Sequence, residues 1–181
     1  MLDMKDIKNI PIANYLYTAV ISGYYTVDDW REWADRIILN NNVDDIEIWI
    51  FDVAFSTNEE QFYDAILEKK TQEVFDENTH YWNPDVIVGY YYLLYKEKRM
   101  SITKLVYQMT DEDDNSYGAE LYDNERFRSV IFSMNNAIQN CKTNKEREVI
   151  YTKCLEEIKD LLVSVSLIAL QQQEALKSYL M

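Results

Sequence analysis

Most enzymatic and metal chemistry recruits histidine, cysteine and glycine, and this chain of 181 residues has 1 His, 2 Cys and 3 Gly. The single histidine lies in Glu77-Asn78-Thr79-His80. Glu-x-x-His is half of the dinuclear-iron bundle motif, which needs a second copy and two further carboxylates on neighbouring helices. No second copy exists, so His80 reads as a structural residue rather than a ligand or general base. Asp111-Glu112-Asp113-Asp114-Asn115 begins like a calcium loop, but Ser116 and Tyr122 stand where that loop requires Gly and a bidentate Glu. Gly23, Gly89 and Gly118 are too far apart for a phosphate loop, a dinucleotide motif or a nucleophile elbow. A paired-histidine zinc motif is excluded by count, and Cys141 and Cys154 read as small apolar residues. The expectation is therefore no catalytic residue, no metal ligand and no cofactor.

The carboxylates are more informative. Asp28, Asp29, Glu32 and Asp35 fall on one helical face, flanked by Arg31 and Arg36 and opposed by Trp30, Trp33, Ala34 and Ile37. Carboxylate pairs act as acid and base only where burial or mutual repulsion separates their pKa values. A face opposite a tryptophan core is instead expected to be solvated, with partner binding as its functional reading. Asp44 and Asp45 extend the same acidic region. Tyr90, Tyr91, Tyr92 and Tyr95 are too closely spaced to point inward together, so at least one is expected at a surface. Tyrosine suits interfaces because it joins an apolar body to a polar tip.

Charge bounds the partner class. With 32 Asp+Glu against 18 Lys+Arg the net charge is −14. Residues 1–90 carry −12 of it and residues 91–181 only −2. A nucleic-acid binder needs a basic stripe to meet phosphates, and the one basic cluster, 96–104, reads as a solvated helix end. The longest apolar run, Leu161–Leu170, would make a helix of about 15 Å, half of a bilayer core. The first residues lack the basic start and apolar stretch of a secretory signal, and two cysteines make no disulfide framework. A soluble cytoplasmic protein with no membrane or nucleic-acid partner is expected.

The elements that would position these residues read as helices. Gly plus Pro is 5 residues, far below the roughly 12% of average chains, which disfavours turn-rich sandwiches and barrels. Thr26 with Asp28 and Asp29, Ser56-Thr57-Asn58-Glu59 and Thr143-Asn144-Lys145-Glu146 each have the form of a helix start. Pro84 suits a first helical position. The spacing predicts helices near 11–22, 27–40, 45–55, 57–75, 84–99, 101–110, 120–140 and 145–179. Residues 46–55 have strand-like composition, but no second strand is evident to pair with them. Together these give one all-α domain over 1–181, a bundle of seven to eight helices with a long, largely buried C-terminal helix. Residues 111–118 are the expected loop.

Trp30-x-x-Trp33-Ala34-Asp35, followed by Ile48-Trp49-Ile50-Phe51-Asp52-Val53-Ala54, resembles a pattern of small acidic all-helical bacterial proteins, some similar to toxin-immunity proteins. The resemblance covers about residues 20–75. It implies an all-α protein with no established enzymatic site. The leading functional expectation is a non-catalytic binding protein, an immunity protein or antitoxin, that occludes a basic toxin such as a nuclease. Asp28, Glu32, Asp35, Asp44 and Asp45 would supply the field, with Tyr91 and Tyr95 as exposed anchors. The alternatives are an enzyme using clustered carboxylates, Asp52 and Asp64 among them, with a divalent cation, and a subunit that buries its final helix against a second copy.

Overall fold

The computed structural model describes residues 10–74, 84–110 and 120–179, and helices account for all of its regular secondary structure among those residues. His80 and residues 111–118 lie outside them. The described chain falls in two compact units, one within Met1–Trp82 and Leu170–Met181, the other within Asn83–Ala169.

The first unit holds α1 (Ile12–Ile21), α2 (Val27–Asn40), a 3-10 turn (Val43–Asp45), α3 (Ile48–Phe55) and α4 (Glu59–Val74). The C-terminal part of α10 (Lys159–Ser178) also belongs to it. Gly23 ends α1 at φ +71, where a side chain would be strained, and its N–H donates to the Val20 carbonyl at 2.8 Å. Thr26 then starts α2, as its sequence predicts. The Asp29 carboxylate accepts from the Thr26 backbone N–H and hydroxyl, both at 2.7 Å. Trp30, Trp33, Ala34 and Ile37 are all buried, so the amphipathic reading of α2 holds. The Trp30 ring lies 4.9 Å from Phe62 of α4. Each such ring takes about 150–250 Å² out of water, about 4–6 kcal/mol of transfer free energy before entropy is counted.

Residues 48–55 are helical, with Trp49, Ile50, Val53 and Ala54 buried. Here tertiary burial of one face overrides strand-like composition. The start of α4 differs from the predicted capping box. Ser56 is buried and occupied elsewhere, accepting from Trp30 Nε1 at 2.9 Å and donating to the Val53 carbonyl at 2.7 Å. Asn58 caps α4 instead, accepting from the Gln61 N–H at 3.0 Å, while Gln61 Oε1 accepts from the Thr57 N–H at 2.8 Å.

The second unit holds α5 (Pro84–Lys96), α6 (Ile102–Thr110), α7 (Glu120–Asp123), α8 (Glu125–Ile138), α9 (Asn144–Glu157) and the start of α10. Pro84 opens α5 and Thr143 caps α9 through the expected exchange with Glu146. The predicted helix over 120–140 is two. Asn124 has extended backbone, and its side chain accepts from the N–H groups of Arg126 and Phe127, which restarts the helix as α8. The predicted helix over 145–179 is also two, broken at Ile158. Ile158 is fully buried, and its N–H still bonds Cys154 at 3.3 Å, so the chain is redirected without a Gly or Pro.

The helix buried on every side is α5, not the C-terminal one. Residues 84–92 and Leu94 are all buried. Gly89 explains how α5 fits: a Cβ there would stand 2.4 Å from the Val165 carbonyl oxygen. By contrast Val163, Leu167, Ile168 and Leu170 of α10 are each about two-fifths to one-half exposed, which corrects the expectation of a largely buried final helix.

Candidate acidic docking face

The carboxylates singled out from the sequence are exposed. Asp28, Glu32 and Asp35 follow one another up the outer side of α2 and end at Leu39, which is 82% exposed. They line a shallow trough of about 470 Å³ together with Arg31 and Arg36. The intervals of four, three and four residues keep all four side chains in one row.

The two arginines were expected to flank this row, and they do, each with one guanidinium nitrogen on a backbone carbonyl. Arg31 Nε donates to the Ala54 carbonyl at the end of α3, 3.2 Å away. Arg36 Nη2 donates to the Leu176 carbonyl of α10 at 3.0 Å. Both donate to carbonyls in the last turn of a helix, where the backbone dipole is negative. Among the described residues no ion pair involves Asp28, Glu32 or Asp35. Asp44 and Asp45 are exposed in the 3-10 turn after α2, beside Val43, which is also exposed.

The two tyrosines lie in the second unit. Tyr91 is 8% exposed, so it belongs to packing and not to a surface anchor; α5 is buried all round and draws it in. Tyr95 is half-buried, its ring 6.3 Å from that of Tyr92. Burial raises the Tyr92 phenol above its ordinary pKa. The most exposed large apolar side chains of the first unit are instead Leu39, Val43, Ile48 and Phe55, which sequence reasoning missed. The signal was present: Ile48 and Phe55 are seven apart, opposite the buried Ile50, Val53 and Ala54 of the same helix.

Among the described residues two carboxylates are buried, and neither was singled out. Glu73, near the end of α4, accepts from the N–H groups of Ala13 and Asn14 at 3.0 and 2.9 Å and from the Asn14 amide at 2.9 Å. It thereby caps the start of α1 from sixty residues away, because Pro11 at the cap position offers no side-chain acceptor. Asp85 does the same for α7, accepting from the N–H groups of Glu120 and Leu121 at 3.0 and 3.1 Å. Burial pushes both carboxyls above their usual range, and these hydrogen bonds pull them part of the way back.

Asp52 and Asp64, the carboxylates of the catalytic alternative, line a second open groove of about 460 Å³ between α3 and α4. Among the described residues no group of three or more His, Cys, Asp or Glu side chains is placed to hold a metal ion. No helix among them is long and apolar enough to cross a membrane. Set against known proteins, the chain matches no family model, no curated protein and no solved structure.

Proposed function

We propose that the chain is a binding protein that docks a basic protein partner through the outer face of α2. In its most concrete form it is an immunity protein or antitoxin that covers the basic cleft of a toxin such as a nuclease. One observation carries the reading: the arginines beside Asp28, Glu32 and Asp35 are committed to backbone carbonyls, so three adjacent carboxylates face water unpaired. An unpaired row of like charge attracts an oppositely charged surface and speeds its encounter. Leu39 at the end of the row, with Val43 beyond it, adds apolar surface that becomes favourable on contact.

The test is capture from a lysate of the native host with wild-type chain and with the D28N/E32Q/D35N variant. The expected result is a protein with strong net positive charge, retained at 50 mM salt and released at 1 M, where screening shortens to about 3 Å. The triple variant should retain at least tenfold less of it. No basic protein at low salt, or equal capture by the variant, refutes the proposal.

A second reading has its own support. On α10, Val163 and Leu167 are one turn apart and 40% and 53% exposed, so a self-associating subunit would have apolar helix surface to bury. Light scattering that shows a strict monomer across a hundredfold range of concentration would remove it.

A further inference from the structure

The outer side of α3 carries Ile48, Asp52 and Phe55, four and then three residues apart. Ile48 is 78% exposed and Phe55 79%, values uncommon for large apolar side chains on a helix that also buries a full face. Beyond Phe55 the surface falls into the groove shared with α4, where Asp52 and Asp64 stand on the walls and Ser56, Gln61 and Ala65 complete the lining. Every charged side chain in this groove is negative. Neither aspartate has an ion-pair or hydrogen-bond partner among the described residues. The Ser56 hydroxyl already accepts from Trp30 and donates to Val53, so it competes for neither carboxylate.

Two unpaired carboxylates beside an open aromatic ring select a cation that has a flat face and several donors. A guanidinium meets both demands: it stacks on a ring while its N–H groups reach carboxylate oxygens on either side. A lysine ammonium is a more strongly hydrated point charge with no planar face to lay on the ring. We propose that the α3–α4 groove receives an arginine side chain of the protein partner, with its guanidinium between Asp52 and Asp64 and its plane against Phe55. Ile48, about two turns from Phe55 on the same side, then meets an apolar residue of the partner. This inference rests on the binding-protein reading but uses a different helix face from the α2 row.

The probes are the capped tripeptides acetyl-Gly-Arg-Gly-amide and acetyl-Gly-Lys-Gly-amide, titrated into the uniformly ¹⁵N-labelled full chain. The expected result is saturable shifts of the 52–56 and 61–65 amides by the arginine peptide at millimolar concentration. The lysine peptide should bind at least threefold more weakly. D52N/D64N should weaken the arginine peptide at least fivefold, and F55A should weaken it about threefold. All three side chains are exposed, and an unchanged far-UV spectrum verifies that the variants fold. Equal binding of both peptides, no saturable shift in 52–65, or no effect of D52N/D64N overturns the inference. D28N/E32Q/D35N should leave these shifts unchanged, which separates the two readings. If that variant loses the captured partner while D52N/D64N and F55A keep it, the groove assignment falls and the α2 assignment stands.

Discussion

Replacing Glu73 tests whether a buried carboxylate from α4 holds the start of α1. In Glu73→Ala, the N–H groups of Ala13 and Asn14 and the Asn14 amide lose an acceptor at 2.9–3.0 Å in a site that is 8% exposed. Loss of a helix cap costs about 0.5–2 kcal/mol, and leaving a buried donor unsatisfied costs about 1–3 kcal/mol. The mutant recovers part of this, because burying the carboxylate was itself unfavourable enough to raise its pKa. A net loss of about 2–4 kcal/mol is the result. With an m-value of about 2 kcal/mol/M, the urea midpoint should fall by about 1–2 M. Trp30, Trp33 and Trp49 belong to the same compact unit as α1 and report its unfolding by fluorescence. Glu73→Gln adds a sign test. A carboxyl whose folded pKa is raised binds its proton more tightly in the folded state, so its contribution is fullest below the unfolded pKa and is lost as pH rises through the folded one. Wild type should therefore gain on Glu73→Gln as pH falls from 7 towards 5. A loss below about 0.5 kcal/mol in the alanine variant would refute the capping argument, and a wild-type advantage over Glu73→Gln that shrinks on acidification would refute the raised carboxyl pKa.

Gly89→Ala should destabilise by about 1–3 kcal/mol, since the new methyl would stand 2.4 Å from a backbone oxygen that no side-chain rotation can move; thermal melting of the variant measures it. Lys98 ends α5 at φ +61, so Lys98→Gly should stabilise by about 1 kcal/mol, read as a raised denaturation midpoint. Burial pushes the Cys154 thiol up to about 11, whereas Cys141 is half-exposed. Native chain at pH 7.5 should thus take up one equivalent of a thiol reagent quickly, with the second appearing only in denaturant. Rapid native labelling of Cys154, located by mass spectrometry, would contradict its burial.

The α-helical class and the extent of α2 were legible because both are local properties. Trp30, Trp33, Ala34 and Ile37 recur at helical spacing, and Thr26 can cap only a helix that starts directly after it. The breaks at Asn124 and Ile158 were less accessible. Asn124 is an ordinary helix residue by pattern and becomes a cap only when its side chain turns to Arg126 and Phe127. Ile158 fits the apolar stripe on both sides of its break. The central buried helix was misassigned for a related reason. Residues 161–170 and 84–95 are both strongly apolar, and what distinguishes them is Gly89, whose missing side chain lets α5 approach a neighbour. Tyr91 went astray with that assignment: four tyrosines cannot all be inward on an amphipathic helix, but on a helix enclosed on all sides Tyr90, Tyr91 and Tyr92 can.

The site was half legible because composition reports how many carboxylates there are and not what each one meets. Asp28, Glu32 and Asp35 look much like Glu73 and Asp85 in the sequence, yet they end in opposite environments. Glu73 and Asp85 meet helix N-termini, and five backbone and amide donors make their burial tolerable. The α2 row meets no donor among the described residues. The arginines that would have neutralised it are drawn to the carbonyl ends of α3 and α10, contacts that join residues 23 and 140 positions apart. Folding therefore determines which carboxylates stay exposed to water, by assigning nearby cations and N–H groups to other tasks. Under the proposed docking through α2, releasing Arg31 from the Ala54 carbonyl would leave its guanidinium free to meet Asp28 or Asp35, three and four residues away on the same helix, and should lower capture of a basic protein by the chain.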